Sequence, residues 1–290
     1  MAFDKQPAEL GSHHKQFVEY LTTQRRAHAT ILAYSKDIEQ LISFLGDLGK
    51  KTIGDVEKLD IEGFLKKLSS DGYTPKSISR KINSIKTFYR FLKSNDSLTV
   101  NPAAEITHPK YDVKPPRILT KMEYRALRDA CRGDIRTYAI VELFLQTGVR
   151  IGELANLKVD NVREKELVIE AQEGHPQRSV PLNKAAKAAL TSWLAIRPKS
   201  NDTHLFITKT GKPLLVRNIR TTIDRYFKIA GIEGAKVNDL RHTFIAHHLA
   251  SGTPLTVISK LVGHKRLSTT EKYLDLVKDK AAEHVKLEEL

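Results

Sequence analysis

The chain has 290 residues, 40% hydrophobic and 28% charged, the balance of a folded protein rather than a disordered one. With 48 Lys and Arg against 34 Asp and Glu it carries a formal charge of +14 and a pI near 9.7, which points to a polyanionic partner such as nucleic acid. The single cysteine, Cys131, excludes an internal disulfide framework and a cysteine-based zinc site, and no run approaches the ~18 apolar residues of a membrane span. The N-terminus has no apolar signal core, so a cytoplasmic protein of two domains is expected.

From Lys15 to Lys93 the apolar spacing is helical. Phe17, Tyr20 and Leu21 form one stripe, and Ile31, Tyr34, Ile38, Leu41, Ile42 and Phe44-Leu45 form a second that ends at Gly46. Ile61 to Leu68 is a third helix, stopped by Asp71-Gly72. Ser77 to Lys93 is a fourth. Its Ile78, Ile82, Ile85, Phe88-Tyr89 and Phe91-Leu92 face inward, while Lys76, Arg80, Lys81, Lys86, Arg90 and Lys93 are expected on an outer face suited to tracking phosphates. Residues 103–119 hold three prolines and no helical period, and read as an extended linker.

Beyond the linker, Lys121–Arg132 and Arg136–Thr147 are predicted helices, the second apolar nearly all round and therefore buried. The period then changes. Glu166–Gln172 and Gln177–Leu182 read as two strands joined by a turn at residues 173–176. Helices resume at Ala185–Ile196 and Val216–Ile229, with a short apolar run, Leu205–Ile207, between them. The charge follows this division: residues 1–110 hold 17 basic and 13 acidic side chains, residues 111–290 hold 31 and 21.

Candidate chemistry lies in the second half. In Thr147-Gly148-Val149-Arg150-Ile151-Gly152-Glu153-Leu154 one helix stops at Gly148 and another starts two residues on, which puts Arg150 at a helix N-terminus where an anion is favoured. Glu153 shares its face and can orient the guanidinium. In Asn238-Asp239-Leu240-Arg241-His242, either of the first two residues can cap a helix with Arg241 in its first turn. In Gly263-His264-Lys265-Arg266-Leu267-Ser268-Thr269-Thr270-Glu271-Lys272-Tyr273, Ser268 and Glu271 have capping-box spacing, which places Tyr273 in the second turn.

Taken together, Arg150 in T-G-x-R-x-x-E-L, Arg241 in L-R-H-T-F, the Gly263-His264 pair and Tyr273 nine residues after that histidine resemble the tyrosine recombinases, or phage-type integrases. In size and layout the chain is most similar to the Xer-like members, and the resemblance spans nearly all of it. It implies a mainly α fold. Residues 1–102 would be a helical, SAM-like core-binding domain, 103–119 the linker, and 120–290 an α-rich catalytic domain with a small antiparallel sheet, the whole closing on DNA as a C-shaped clamp. It further implies site-specific recombination through a 3′-phosphotyrosyl link and a Holliday junction, with neither metal nor cofactor. Tyr273 would be the nucleophile, Arg150 and Arg241 the clamp on the non-bridging oxygens, His264 a contact to the phosphate or the nucleophile, and Glu153 the support behind Arg150. Residues 278–290 would exchange between subunits of a homotetramer on DNA, with accessory proteins as further partners.

Two positions depart from the family pattern. Asn238 stands where the family has histidine, and an amide can donate a hydrogen bond but cannot take up a proton near neutral pH. The family's strand lysine, the general acid for the leaving oxygen, aligns with Glu173, and residues 167–183 contain no lysine. The expected substitutes are His175 in the turn, preferred for reach and pKa, and Lys165 before the first strand. Rival readings are a relaxing activity of the type IB topoisomerase kind and a non-catalytic DNA-binding relative. The lack of an arm-type N-terminal domain, which lambda-like integrases have, favours the simpler Xer-like uses.

Overall fold

The computed structural model describes residues 8–172 and 174–277, and the chain divides after Val113 into two units. The first is built from α1 (Ala8–Thr23), α2 (His28–Asp47), α3 (Lys58–Ser70) and α4 (Pro75–Ser94). Helix α1 extends further toward the N-terminus than its stripe suggested, because Leu10 repeats the burial of Phe17 two turns earlier. Thr74 caps α4 by accepting from the Ser77 N–H, with Pro75 at the first helical position. The core of this unit joins Phe17, Leu41, Phe64 and Phe88, and it also takes in Ala103 and Ile106. Residues 107–115 follow without regular structure.

One expectation for α4 is overturned. Lys81 does not face solvent: it is 3% exposed, and its Nζ donates to Asp37 Oδ1 (2.8 Å) and Gln40 Oε1 (2.5 Å) on α2. Asp37 is itself buried and also accepts from Arg80 and from Ser84 Oγ. A carboxylate on the inner face of α2 needs counter-charges, and one turn of α4 supplies two of them. Lys81 is therefore spent inside the unit, and Arg80, half exposed, is tethered to the same carboxylate. Lys76 remains exposed, and Lys86 Nζ reaches the Ala104 carbonyl at 3.2 Å.

The second unit holds α5 (Lys121–Cys131), α6 (Ile135–Thr147), α7 (Ile151–Asn156), β1 (Glu166–Ile169), β2 (Arg178–Pro181), α8 (Lys184–Ile196), α9 (Val216–Ile229), α10 (Val237–Ala250), α11 (Leu255–Val262) and α12 (Ser268–Glu271). As its composition demands, α6 is buried nearly all round, packed by α8 on one side and α10 on another. Its buried Glu142 is answered by Arg128 on α5, two bonds at 2.5 and 3.1 Å. Strands β1 and β2 pair antiparallel with Glu166 opposite Pro181 and Ile169 opposite Arg178, shorter than the sequence suggested. The same register continues to a bridge between Gln172 and His175, and the ladder lapses between because Pro176 has no N–H to give. Among the described residues no helix is long and apolar enough to cross a membrane.

Candidate active site

Two helix ends make the seat of the site. Helix α6 stops at Gly148 in the left-handed region (φ 60°), and α11 stops at Gly263 likewise (φ 65°). Both turns leave carbonyls that no helical N–H reaches, and arginine forks take them up. Arg241, on α10, donates to the Gly148 carbonyl and, at 2.7 Å, to the Val262 carbonyl. Arg150 caps the start of α7 and donates from Nη2 to the Gly263 carbonyl at 2.6 Å. The glycines are also required by space. A Cβ on Gly148 would stand 2.5 Å from a Phe244 ring carbon, and one on Gly263 would stand 2.9 Å from Arg178 Nη1.

Glu153, 7% exposed, ties the cluster together. One of its oxygens accepts from the Arg150 backbone N–H and the other from Arg150 Nη1, both at 2.8 Å. The same carboxylate takes a bidentate pair from Arg178 at 2.8 and 2.7 Å, and Arg178 Nε donates to the Leu261 carbonyl. These bonds outweigh the cost of burying the Glu153 carboxyl and hold its pKa at about 2. Arg178 lies outside the motifs that the sequence singles out. The signal for its position was there: it shares a strand face with Val180 and Leu182, both buried, so its side chain had to point inward.

His264 follows directly. Its Nδ1 shares a hydrogen bond of 2.8 Å with Oγ1 of the fully buried Thr270. Burial, then Arg241 and Arg150, push its pKa down to about 4, so the ring is neutral at pH 7. Tyr273 is 5% exposed, its ring stacked near His264 (centroids 6.5 Å, 20°) and edge-on to His242 (5.9 Å). Burial raises the phenol pKa, with Arg241 opposing the rise and Asp239 adding to it. Tyr273 thus belongs to the same pocket as both arginines.

Three local expectations are corrected. Helix α12 starts on Leu267 as cap, with Ser268 already helical, so the Ser268–Glu271 box does not form and Tyr273 lies in the turn past the helix, before residues 274–277 coil again. Helix α10 is capped at Lys236, with Asp239 Oδ2 accepting from the Lys236 N–H at 2.8 Å. Asp239 therefore serves from the third helical position, Asn238 is exposed at the second, and Arg241 falls one turn later than expected. The third concerns the proton donor. Lys165 sits beside Leu182, at the end of the β-ribbon away from the turn, and does not join the site. His175 does come near, but burial, Arg150 and Lys265 depress its pKa, which leaves it neutral rather than charged at pH 7.

The cluster therefore holds three guanidinium groups against one carboxylate, Arg150 and Arg178 bonded to Glu153 and Arg241 seated on carbonyls within its field, with a phenol and a neutral imidazole at its edge. Such a pocket is short of negative charge, and a phosphodiester would supply it.

The family models fit this layout. Residues 117–280 match the phage integrase family, and residues 14–96 match the phage integrase N-terminal SAM-like domain. The tyrosine recombinase XerC of Thermodesulfovibrio yellowstonii is 33% identical over 258 residues, 84% of either chain. That of Shewanella amazonensis is 31% identical over 277 residues, 93% of either chain. Among solved structures, a lambda integrase dimer bound to a COC′ core site is similar in fold, with a TM-score of 0.75 at 18% identity, covering 98% of this chain and 81% of that one.

Proposed function

The chain belongs to the phage integrase family and is a site-specific DNA recombinase, and we propose that Tyr273 is the residue that cuts and holds the DNA strand. The observation that carries this reading is the excess of guanidinium over carboxylate in the pocket against which Tyr273 packs.

In the proposed reaction the Tyr273 oxygen attacks the scissile phosphorus. The phosphorus–O5′ bond breaks, leaving a 3′-phosphotyrosyl link and a free 5′-hydroxyl. The pentacoordinate transition state carries more negative charge than the ground state, and Arg150 and Arg241 receive it with donors already fixed by backbone carbonyls. Glu153 and Arg178 keep Arg150 in place. His264 holds a neutral ring next to the phenol, where it can donate to a phosphate oxygen. Exposed Asn238, one turn before Arg241, offers an amide to the same phosphate. Because the phosphotyrosine keeps the energy of the phosphodiester, a 5′-hydroxyl from another strand can reseal it without ATP.

Residues 1–102 are assigned to gripping the DNA core site, with Lys76, Arg80 and Lys86 on phosphates and Lys81 withdrawn from that list. Residues 120–290 carry the chemistry. Four copies assemble on DNA by exchange of residues 278–290, which lie outside the described residues.

The decisive test is a nicked suicide substrate that traps the covalent intermediate. Wild type should give a protein–DNA adduct, and Tyr273→Phe none. An adduct that survives in Tyr273→Phe, or no adduct from wild type on any site recovered by selection, would overturn the assignment. Relaxation of plasmids without a specific site would favour the topoisomerase-like alternative.

A further inference from the structure

Cleavage expels a 5′-alkoxide, which is too basic to leave unaided and needs a proton from the protein. Few of the groups around the pocket can supply one. An arginine holds its proton too tightly. His264 and His175 are both pushed toward the neutral form, and His264 already shares its Nδ1 with Thr270. His175 Nδ1 is buried with no hydrogen-bond partner, which does not favour protonating that ring. Tyr273 is committed as the nucleophile.

Two lysines, Lys260 and Lys265, line the cleft beside the pocket, and Lys265 is the one whose ammonium is placed at the β-ribbon turn. It follows His264 directly, in the loop between α11 and α12, and is exposed there. Its side chain does not trail into solvent. It crosses to the turn of the β-ribbon, where Nζ lies 3.0 Å from the point at which a Cβ on Gly174 would stand. Gly174 takes φ 74°, so the turn presents bare backbone there and leaves the ammonium room. Lys265 also lines, with Pro176, Gln177, Arg178, Gly263 and His264, a cleft of about 510 Å³ beside the arginine cluster.

We propose that Lys265 is the general acid of this enzyme, its ammonium reaching the β-ribbon turn from the α11–α12 loop and protonating the leaving 5′-oxygen. The inference rests on Tyr273 as the nucleophile. As the phosphorus–O5′ bond breaks with its electron pair going to oxygen, Nζ gives that oxygen a proton and becomes a neutral amine. The phenol proton of Tyr273, released to water, restores the ammonium. Resealing runs the same steps backward, the amine taking the proton from the attacking 5′-hydroxyl.

The test compares suicide substrates with a bridging 5′-oxygen and a bridging 5′-sulfur at the cleaved phosphate, since a thiolate leaves without a proton. On the oxygen substrate Lys265→Ala and Lys265→Arg should both form adduct about 10²–10⁴-fold more slowly than wild type, the range for lost general-acid help. On the sulfur substrate both should approach the wild-type rate. His175→Ala should match wild type on either. Equal losses on the two substrates, or rescue by Lys265→Arg on oxygen, would reduce Lys265 to a phosphate contact and overturn the proposal. So would wild-type speed in Lys265→Ala. If wild type forms no adduct even with sulfur, the assignment of Tyr273 fails together with this inference. Exposure of Lys265 makes loss of folding in these variants easy to exclude by their unfolding midpoints.

Discussion

His264 carries a proton-linked part of the stability of the second unit. Its folded pKa is about 4 against an ordinary 6.5, so between those values the unfolded chain binds a proton that the folded chain refuses. Stability contributed by the neutral ring is whole above pH 6.5 and falls as the pH drops toward 4. In urea unfolding from pH 7 to 4, wild type should lose about 1–3 kcal/mol more than His264→Gln; parallel curves would contradict the buried, arginine-flanked ring. Side chains of this kind were partly readable from the family resemblance that their motifs carry. Arg150, Glu153, Arg241, His264 and Tyr273 meet where their motifs suggested. Lys81 and Lys265 were not readable, because their partners Asp37 and Gly174 lie far away in sequence, and no local period encodes a long-range pair. The charge state of His175 was not readable for the same reason: its neighbours set it, and they arrive only with the tertiary fold.

Helix boundaries followed the sequence closely wherever one local signal dominated. Thr74 before Pro75, Asp134 before α6 and Gly148 after it all act as caps. The errors came where two signals competed. At α12 a sound capping pattern lost to the turn that the chain must make to bring Tyr273 against His264. At α10 Asp239 could serve as cap or from the third position, and the chain took the latter. Gly148 offers a sharp test of how helix endings support the site. Gly148→Ala forces a left-handed alanine and a methyl group against Phe244, and should cost about 2–4 kcal/mol in denaturant unfolding. Gly152→Ala on α7, with open space around its Cβ position, should stay within about 1 kcal/mol of wild type. A tolerated Gly148→Ala would mean that the α6–α10 contact yields easily.

The division into an N-terminal helical bundle and a larger α-rich unit with a two-stranded ribbon follows from the change of hydrophobic period near residue 166 and the proline-bearing stretch before residue 120. Where one unit stops was harder to read, because Ala103 and Ile106, inside a segment with no helical spacing, are drawn into the first core simply by being apolar. The excess charge of +14 suits a protein that spends its working life on DNA. The proposed assembly is tested by removing residues 278–290. The truncated chain should still bind a single core site, yet run as monomers or dimers rather than tetramers on recombination-site DNA in sizing experiments. Intact tetramers from the truncated chain would rule out tail exchange.

The seating of Arg150 and Arg241 on the terminal carbonyls of α11 and α6 has a mechanical corollary. Neither side chain can swing without breaking bonds to the frame that holds the hydrophobic core, so the electrophilic half of the machinery has no travel of its own. On the proposed assignment, control of cutting would have to act through the tyrosine's short turn and the nucleic acid, while the guanidinium groups stay fixed like jaws bolted to a bench.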